Sequence, residues 1–146
     1  MKKLRLIFLL TAVLAAALVG CSKDDDDDEK GYGDWPAIKV TASQVAFSVD
    51  GGSQTVSCVN YSNWWISAIA LSDDTASTTT FTGSNGKKAT NGWVTAEVVN
   101  KNQLTITAAA NAEGTARTAT IAMTVGDAYT TLTVTQYGNG TVRPQN

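Results

Sequence analysis

Thr118-Ala119-Thr120-Ile121-Ala122-Met123-Thr124-Val125-Gly126-Asp127-Ala128-Tyr129-Thr130-Thr131-Leu132-Thr133-Val134-Thr135-Gln136-Tyr137 is written with a period of two on both sides of one break. Ile121, Met123 and Val125 oppose Thr120, Ala122 and Thr124. After Val125-Gly126-Asp127, the set Leu132, Val134 and Gln136 opposes Thr131, Thr133, Thr135 and Tyr137. An apolar face and a threonine-rich face per run is the pattern of strands covered on one side. Glycine in the break accepts the positive φ of a hairpin turn.

The same texture continues upstream in Val45 to Val49, Gln54 to Val59, Trp64 to Leu71, Trp93 to Val99 and Leu104 to Ala109, with a second turn at Asp50-Gly51-Gly52. Threonine, valine and isoleucine dominate these runs, and Gly, Asn and Asp separate them. No amphipathic helix of ten residues can be drawn; Ala108 to Ala112 is short and stopped by Gly114. The pattern predicts an all-β, immunoglobulin-like β-sandwich of seven or eight antiparallel strands. Its expected core is Phe47, Val56, Trp64, Ile66, Leu104, Ile106, Ile121, Met123, Leu132 and Val134. Alternation sends the neighbours Trp64 and Trp65 to opposite faces. Trp64, with Ile66 and Ala68, is the core candidate; Trp65, with Ser67 and Ile69, is the exposed one. Trp93, following Gly92 at a strand start, reads as a second core anchor. Ser72 to Gly92 reads as a long polar connection with room for one short strand around Thr78 to Phe81.

The N-terminus is of another kind. Met1 to Arg5 carry three positive charges, and Leu6 to Val19 are apolar apart from Thr11. This is the n-region and h-region of a secretory signal, too short for a good membrane-spanning helix. Leu18-Val19-Gly20-Cys21 resembles the lipobox of bacterial lipoproteins, which implies cleavage before Cys21 and acylation of its thiol. The following Ser22, Lys23, Asp24, Asp25, Asp26, Asp27 and Asp28 resemble the surface-export signal of Bacteroidota lipoproteins. That resemblance implies an outer-membrane, lipid-anchored protein facing the cell exterior. The expected organisation is a signal peptide at 1–20, an acidic flexible tether at 21–37, a sandwich at 38–138 and a polar tail at 139–146. The acidic run lacks the alternating ligands and turning glycine of a calcium loop, so no metal is expected.

Composition excludes several functions. Beyond residue 20 the chain keeps eight of its 11 Lys and Arg and all 13 Asp and Glu, with six of those acids in the run Asp24 to Glu29. The folded part is therefore close to neutral and offers no basic patch for nucleic acid. Cys58 is the only cysteine besides Cys21, so no internal disulfide forms, and its surroundings suggest a buried thiol. There is no histidine to act as a general base and no Gly-x-Ser-x-Gly elbow. Asp50, Asp73, Asp74, Glu97, Glu113 and Asp127 are the only carboxylates in the expected domain, and most of the aspartates fall at turns. No enzyme activity and no cofactor are expected.

Phe47-Ser48-Val49 with the Gly51-Gly52 turn, Asn63-Trp64-Trp65-Ile66, Gly92-Trp93-Val94 and Ile106 to Asn111 together carry a family resemblance. It ends in Asn111, Arg117, Ile121, Val134, Gln136 and Gly138, spaced as Asn…Arg-x-x-x-Ile…Val-x-Gln-x-Gly. Residues 42 to 138 resemble a BACON domain (Bacteroidetes-associated carbohydrate-binding, often N-terminal). The resemblance implies a cell-surface sandwich that binds carbohydrate or acts as a spacer. Two departures from the family pattern are expected: no catalytic domain after the sandwich, and an unusually long polar connection at 72–92. The expected function is a non-catalytic carbohydrate-binding module on a surface lipoprotein, taking a glycan or mucin-type polysaccharide. The alternative is a structural spacer, adhesin-like or protein-interaction lipoprotein without glycan binding. Trp65 is the expected stacking platform, and Asp73, Asp74, Asn85 and Lys87 of the polar connection are the expected partners for sugar hydroxyls. Trp64, Trp93, Asn111, Arg117 and Gln136 are expected to be structural, Arg117 by holding backbone carbonyls or a carboxylate.

The lipobox reading predicts that membrane-extracted protein begins at residue 21 and carries an acyl adduct on Cys21. Intact-mass measurement checks this, and an unmodified Cys21 overturns it.

Overall fold

The structure is a computed structural model that describes residues 35–140. The signal peptide, Cys21, the acidic run Ser22 to Asp28 and the last part of the tail lie outside the described residues. Among the described residues there are nine strands: β1 (Gln44–Phe47), β2 (Gly52–Ser57), β3 (Trp65–Leu71), β4 (Thr80–Phe81), β5 (Lys88–Asn91), β6 (Val94–Val99), β7 (Gln103–Ala108), β8 (Arg117–Val125) and β9 (Ala128–Gln136). They form a four-stranded sheet in the order β1-β9-β8-β3 and a five-stranded sheet in the order β2-β7-β6-β5-β4. The expected all-β sandwich is the observed fold.

Three details depart from the expectation. First, the strands number nine because residues 72–92 are not one connection. They hold the β4–β5 hairpin, with Thr80 opposite Thr90 and Phe81 opposite Ala89. Its turn, residues 82–87, contains Asn85 (φ 61°) and Gly86 (φ 64°), two successive left-handed residues that reverse the chain. Second, the sheets are not wholly antiparallel: β1 runs parallel to β9, pairing Val45 with Val134 and Phe47 with Gln136. The chain enters beside the β8–β9 turn, so an edge strand next to β9 must run in its direction. Third, β3 contains a bulge between Ile66 and Ala68. The extra residue, Ser67, resets the alternation so that Ile69 and not Ala68 follows Ile66 into the core.

Every side chain of the expected core is at most 3% exposed. Cys58 is buried and free. The outer face of the larger sheet is polar by the same alternation. Ser53, Thr107, Thr95, Thr90 and Thr80 stand in one row across its five strands. Within that row the hydroxyls of Ser53 and Thr107 are 2.9 Å apart and those of Thr90 and Thr95 3.0 Å, cross-strand pairs that stabilise the sheet.

The end carrying the β1–β2 turn, the β7–β8 loop and the end of β9 is closed by a polar clamp. Gln136 is fully buried; its Nε2 donates to the carbonyls of Ala109 (2.8 Å) and Ser48 (3.1 Å), and its Oε1 accepts from Arg117 Nε at 3.0 Å. Arg117 also donates to the carbonyls of Ala109 and Ala110, and its guanidinium lies 4.5 Å from the centroid of the Trp93 ring. Asn111 donates to the carbonyls of Thr115 (2.9 Å) and Tyr137 (3.2 Å) and accepts from the Glu113 amide.

At the opposite end the entering chain is strapped down. Trp35 stacks on Tyr61 with ring centroids 6.1 Å apart, and the Tyr61 hydroxyl donates to the Pro36 carbonyl at 2.6 Å. Asn60 donates to the Ala37 carbonyl and accepts from the Lys39 amide. Gly126 (φ 51°) lies so close under Trp35 that a Cβ there would sit 3.1 Å from the indole. The strap and the β8–β9 turn therefore meet.

Trp64 is 1% exposed and its Nε1 has no hydrogen-bond partner. Its contribution is therefore packing. Trp64→Ala is expected to lower stability by about 3–5 kcal/mol through the cavity it leaves. Trp64→Phe is expected to cost distinctly less, since the phenyl ring keeps much of the packing and leaves a smaller cavity. Denaturation midpoints check the order wild type, Phe, Ala; an unchanged midpoint for the alanine variant refutes it.

Candidate functional site

Folding the β4–β5 hairpin beside β3 creates a cleft between the edges of the two sheets. The hairpin is held there by backbone: the Ile66 amide donates to the Gly86 carbonyl at 2.8 Å, and the Val98 amide donates to the Lys87 carbonyl at 2.7 Å. Lys87 Nζ donates to the Trp64 carbonyl, which ties the turn to the start of β3. Gly86 is required twice over. Its φ is left-handed, and a Cβ would lie 2.9 Å from the Ile66 carbonyl oxygen and 3.3 Å from Trp65 Cβ.

The resulting cleft has a volume of about 580 Å³ and is lined by Trp65, Ile66, Ser67, Phe81, Asn85 and Gly86. Trp65 is half-buried, with its neighbours Trp64 and Ile66 in the core, so its indole belongs to the outer side of the sandwich. Phe81 is 48% exposed across the cleft. The walls are apolar and no charged side chain lines them; Asn85 and Ser67 supply the polar side chains.

The expected site residues divide between the two ends of the domain. Asn85 lines the cleft with Trp65. Lys87 is beside it, with its ammonium committed to the Trp64 carbonyl. Asp73 and Asp74 follow Leu71 at the far end of β3, about 20 Å along the strand from Trp65. There Asp74 builds a turn: its carboxylate accepts from the Ala76 amide at 3.1 Å, and its carbonyl accepts from the Ser77 amide and hydroxyl. The stretch from Asp73 to Lys88 is therefore not one surface. Trp64 lies in the core, and Trp93, Asn111, Arg117 and Gln136 meet in the clamp at the end away from the cleft.

Phe81 was not among the expected site residues. Asn85-Gly86 was the signal that could have found it, since a hairpin centred there brings the Thr80-Phe81 pair back alongside β3. A second groove, of about 280 Å³, runs between the edges of β1 and β2 and includes Ser48, Ser53 and Tyr137. The Gln54 side chain bridges these edges by donating to the Ala46 carbonyl. Among the described residues no three of His, Cys, Asp and Glu come together as a metal-holding group.

An NMR structure of a protein from Bacteroides thetaiotaomicron aligns with a TM-score of 0.58 at 19% identity, covering 78% of this chain and 96% of that one. A GH5 xyloglucanase from Bacteroides ovatus, solved in complex with a XXXG heptasaccharide, aligns with a TM-score of 0.45 at 22% identity; the match covers 69% of this chain and 19% of that one. No curated protein matches. The family model of BACON, described as "Putative binding domain, N-terminal", matches residues 60–137, and with more than half its length inside that model the chain belongs to the BACON family.

Proposed function

We propose that this BACON protein is a lipoprotein anchored through Cys21 to the outer membrane, displayed outward, and that its sandwich is a non-catalytic module binding glycan in the cleft beside Trp65. The observation that carries the reading is the pairing of Trp65 and Phe81 across an open, uncharged cleft. Aromatic faces stack on the apolar faces of sugar rings, and the Asn85 amide can both donate to and accept from sugar hydroxyls. The chain enters the domain at Trp35, on the end that also holds the β3 start and the hairpin turn, so in this reading tether and cleft share one end of the domain. Shallow clefts of this kind bind weakly one at a time. Many copies anchored on one surface would gain avidity on a polymer.

Two measurements test this. Trp65→Ala is expected to abolish glycan binding seen by array and calorimetry while leaving the unfolding midpoint nearly unchanged; retained affinity removes Trp65 from the site. Absence of wild-type binding across plant and mucin-type polysaccharides favours the spacer or protein-interaction reading. For display, protease treatment of intact cells is expected to remove the wild-type domain, and replacing Asp24 to Asp28 by alanine is expected to protect it. A wild-type domain that survives the protease overturns surface exposure.

A further inference from the structure

The cleft is one end of a longer aromatic line. β3 pairs with β8 so that Trp65 stands opposite Thr124, and β8 pairs with β9 so that Thr124 stands opposite Tyr129. Directly opposed residues project from the same face of a sheet. The neighbours Ile66, Met123, Val125 and Ala128 are all buried, so this row lies on the outer face. With strands spaced about 4.8 Å apart, the Trp65 and Tyr129 backbones are about 10 Å apart, and Thr124 is midway between them. Tyr129 is 69% exposed, the most exposed large apolar side chain of the described residues. The Thr124 hydroxyl donates to the Ala128 carbonyl at 3.0 Å, which leaves its oxygen able to accept. The next row on this face is Ala68, Ala122 and Thr131, small side chains that keep the surface beside the aromatics low.

We propose that Trp65 and Tyr129 are two stacking positions of one site, taking an extended, neutral, β-linked glycan chain laid across β3, β8 and β9. The proposal rests on the reading of the Trp65 cleft as a glycan site and specifies its ligand class. One aromatic ring covers one face of one sugar. In an extended chain of equatorially linked pyranoses successive rings are turned over, so every second ring offers the same face. Two platforms on one flat row, separated by two strand spacings, meet alternate rings of such a chain, and the ring between them lies over Thr124. A helical or tightly bent chain leaves the row after the first contact. Neither the cleft lining nor the row carries a charge, which favours a neutral polymer over one bearing uronic acids or sulfate.

Calorimetric titration tests this with the full chain, held in a detergent lacking a sugar head group, and with β-1,4-linked cello- and manno-oligosaccharides of two to six units. Wild-type affinity is expected to rise with chain length. Tyr129→Ala is expected to bind the longest chain about tenfold more weakly, the loss of one stacked ring, and the two-unit sugar as wild type does. Trp65→Ala is expected to lose both. Tyr129 is exposed, so its variant keeps the wild-type unfolding midpoint, and a shifted midpoint counts against the assignment. Affinity independent of length, or a Tyr129→Ala protein that holds the longest chain as tightly as wild type, overturns the two-platform site and leaves the Trp65 cleft standing. Binding only to other glycans overturns the ligand class. Binding to no glycan overturns both readings together.

Discussion

The buried amide of Gln136 is the constraint on which the closed end of this sandwich depends. A two-sheet domain without a disulfide must hold its sheets in register by packing and by whatever polar groups it can afford to bury. Gln136 sits at the end of β9, on the core face of its strand, where an apolar residue would be the default. There it satisfies carbonyls from the β1–β2 turn and from the segment after β7. Both carbonyls also have a second donor, the Gly51 amide for Ser48 and Arg117 for Ala109, so the Gln136 amide adds a bond that ties the two segments to the end of β9. Its own oxygen is taken by Arg117, whose remaining donors reach Ala109 and Ala110 and whose flat face covers Trp93. Asn111 performs the same service for Thr115 and Tyr137. Gln136 and Arg117 form one network, so loss of Gln136 leaves the Arg117 Nε without its acceptor.

The cleft, at the other end, depends on a different device. An edge strand such as β3 presents unpaired backbone groups that invite pairing with another chain. Here those groups are met by parts of the hairpin that no full strand supplies. The Ile66 amide finds the Gly86 carbonyl, the Ile69 amide finds the Thr79 hydroxyl, and the Ile69 carbonyl accepts from both Thr79 and the buried Asn91. Because these contacts cover the edge only in part, a gap is left around Ser67, where the bulge falls, and Trp65 and Phe81 border it. The site is thus a by-product of how the edge is protected.

Most of the fold could be read from residue order because alternation is a local signal. Leu132, Val134, Ile121 and Met123 declare their face within a few residues, and the turn glycines mark the breaks. The core prediction for Trp64 followed from the same rule. The bulge could not be read, since Ser67 differs in nothing local from a regular outward residue, and Ile69 was assigned to the wrong face as a result. The β4–β5 hairpin was legible in part through Asn85-Gly86, but its strands are too short for alternation to establish itself. The parallel pairing of β1 depends on where the chain enters the sandwich, which no short stretch encodes. The cleft was legible at Trp65, which alternation puts on the face opposite the buried Trp64, and illegible at Phe81, which the β4–β5 hairpin brings beside it. Asp73 and Asp74 were misplaced because closeness in sequence does not survive the length of β3.

The docking of Trp35 to Lys39 also decides how the domain bears mechanical load. A pull on the chain ahead of Trp35 enters through the Tyr61 stack, the Asn60 hydrogen bonds and the Gly126 turn. A ligand seated on Trp65 would draw on the start of β3, at the same end. Tension between the two would then run between points at one end of the sandwich, away from the Gln136 clamp at the other. The strap continues into an antiparallel bridge between Val40 and Cys58, with the Thr41 amide donating to the Ser57 carbonyl. A load along this segment would fall on those bonds and on the Asn60 contacts together rather than on one of them at a time.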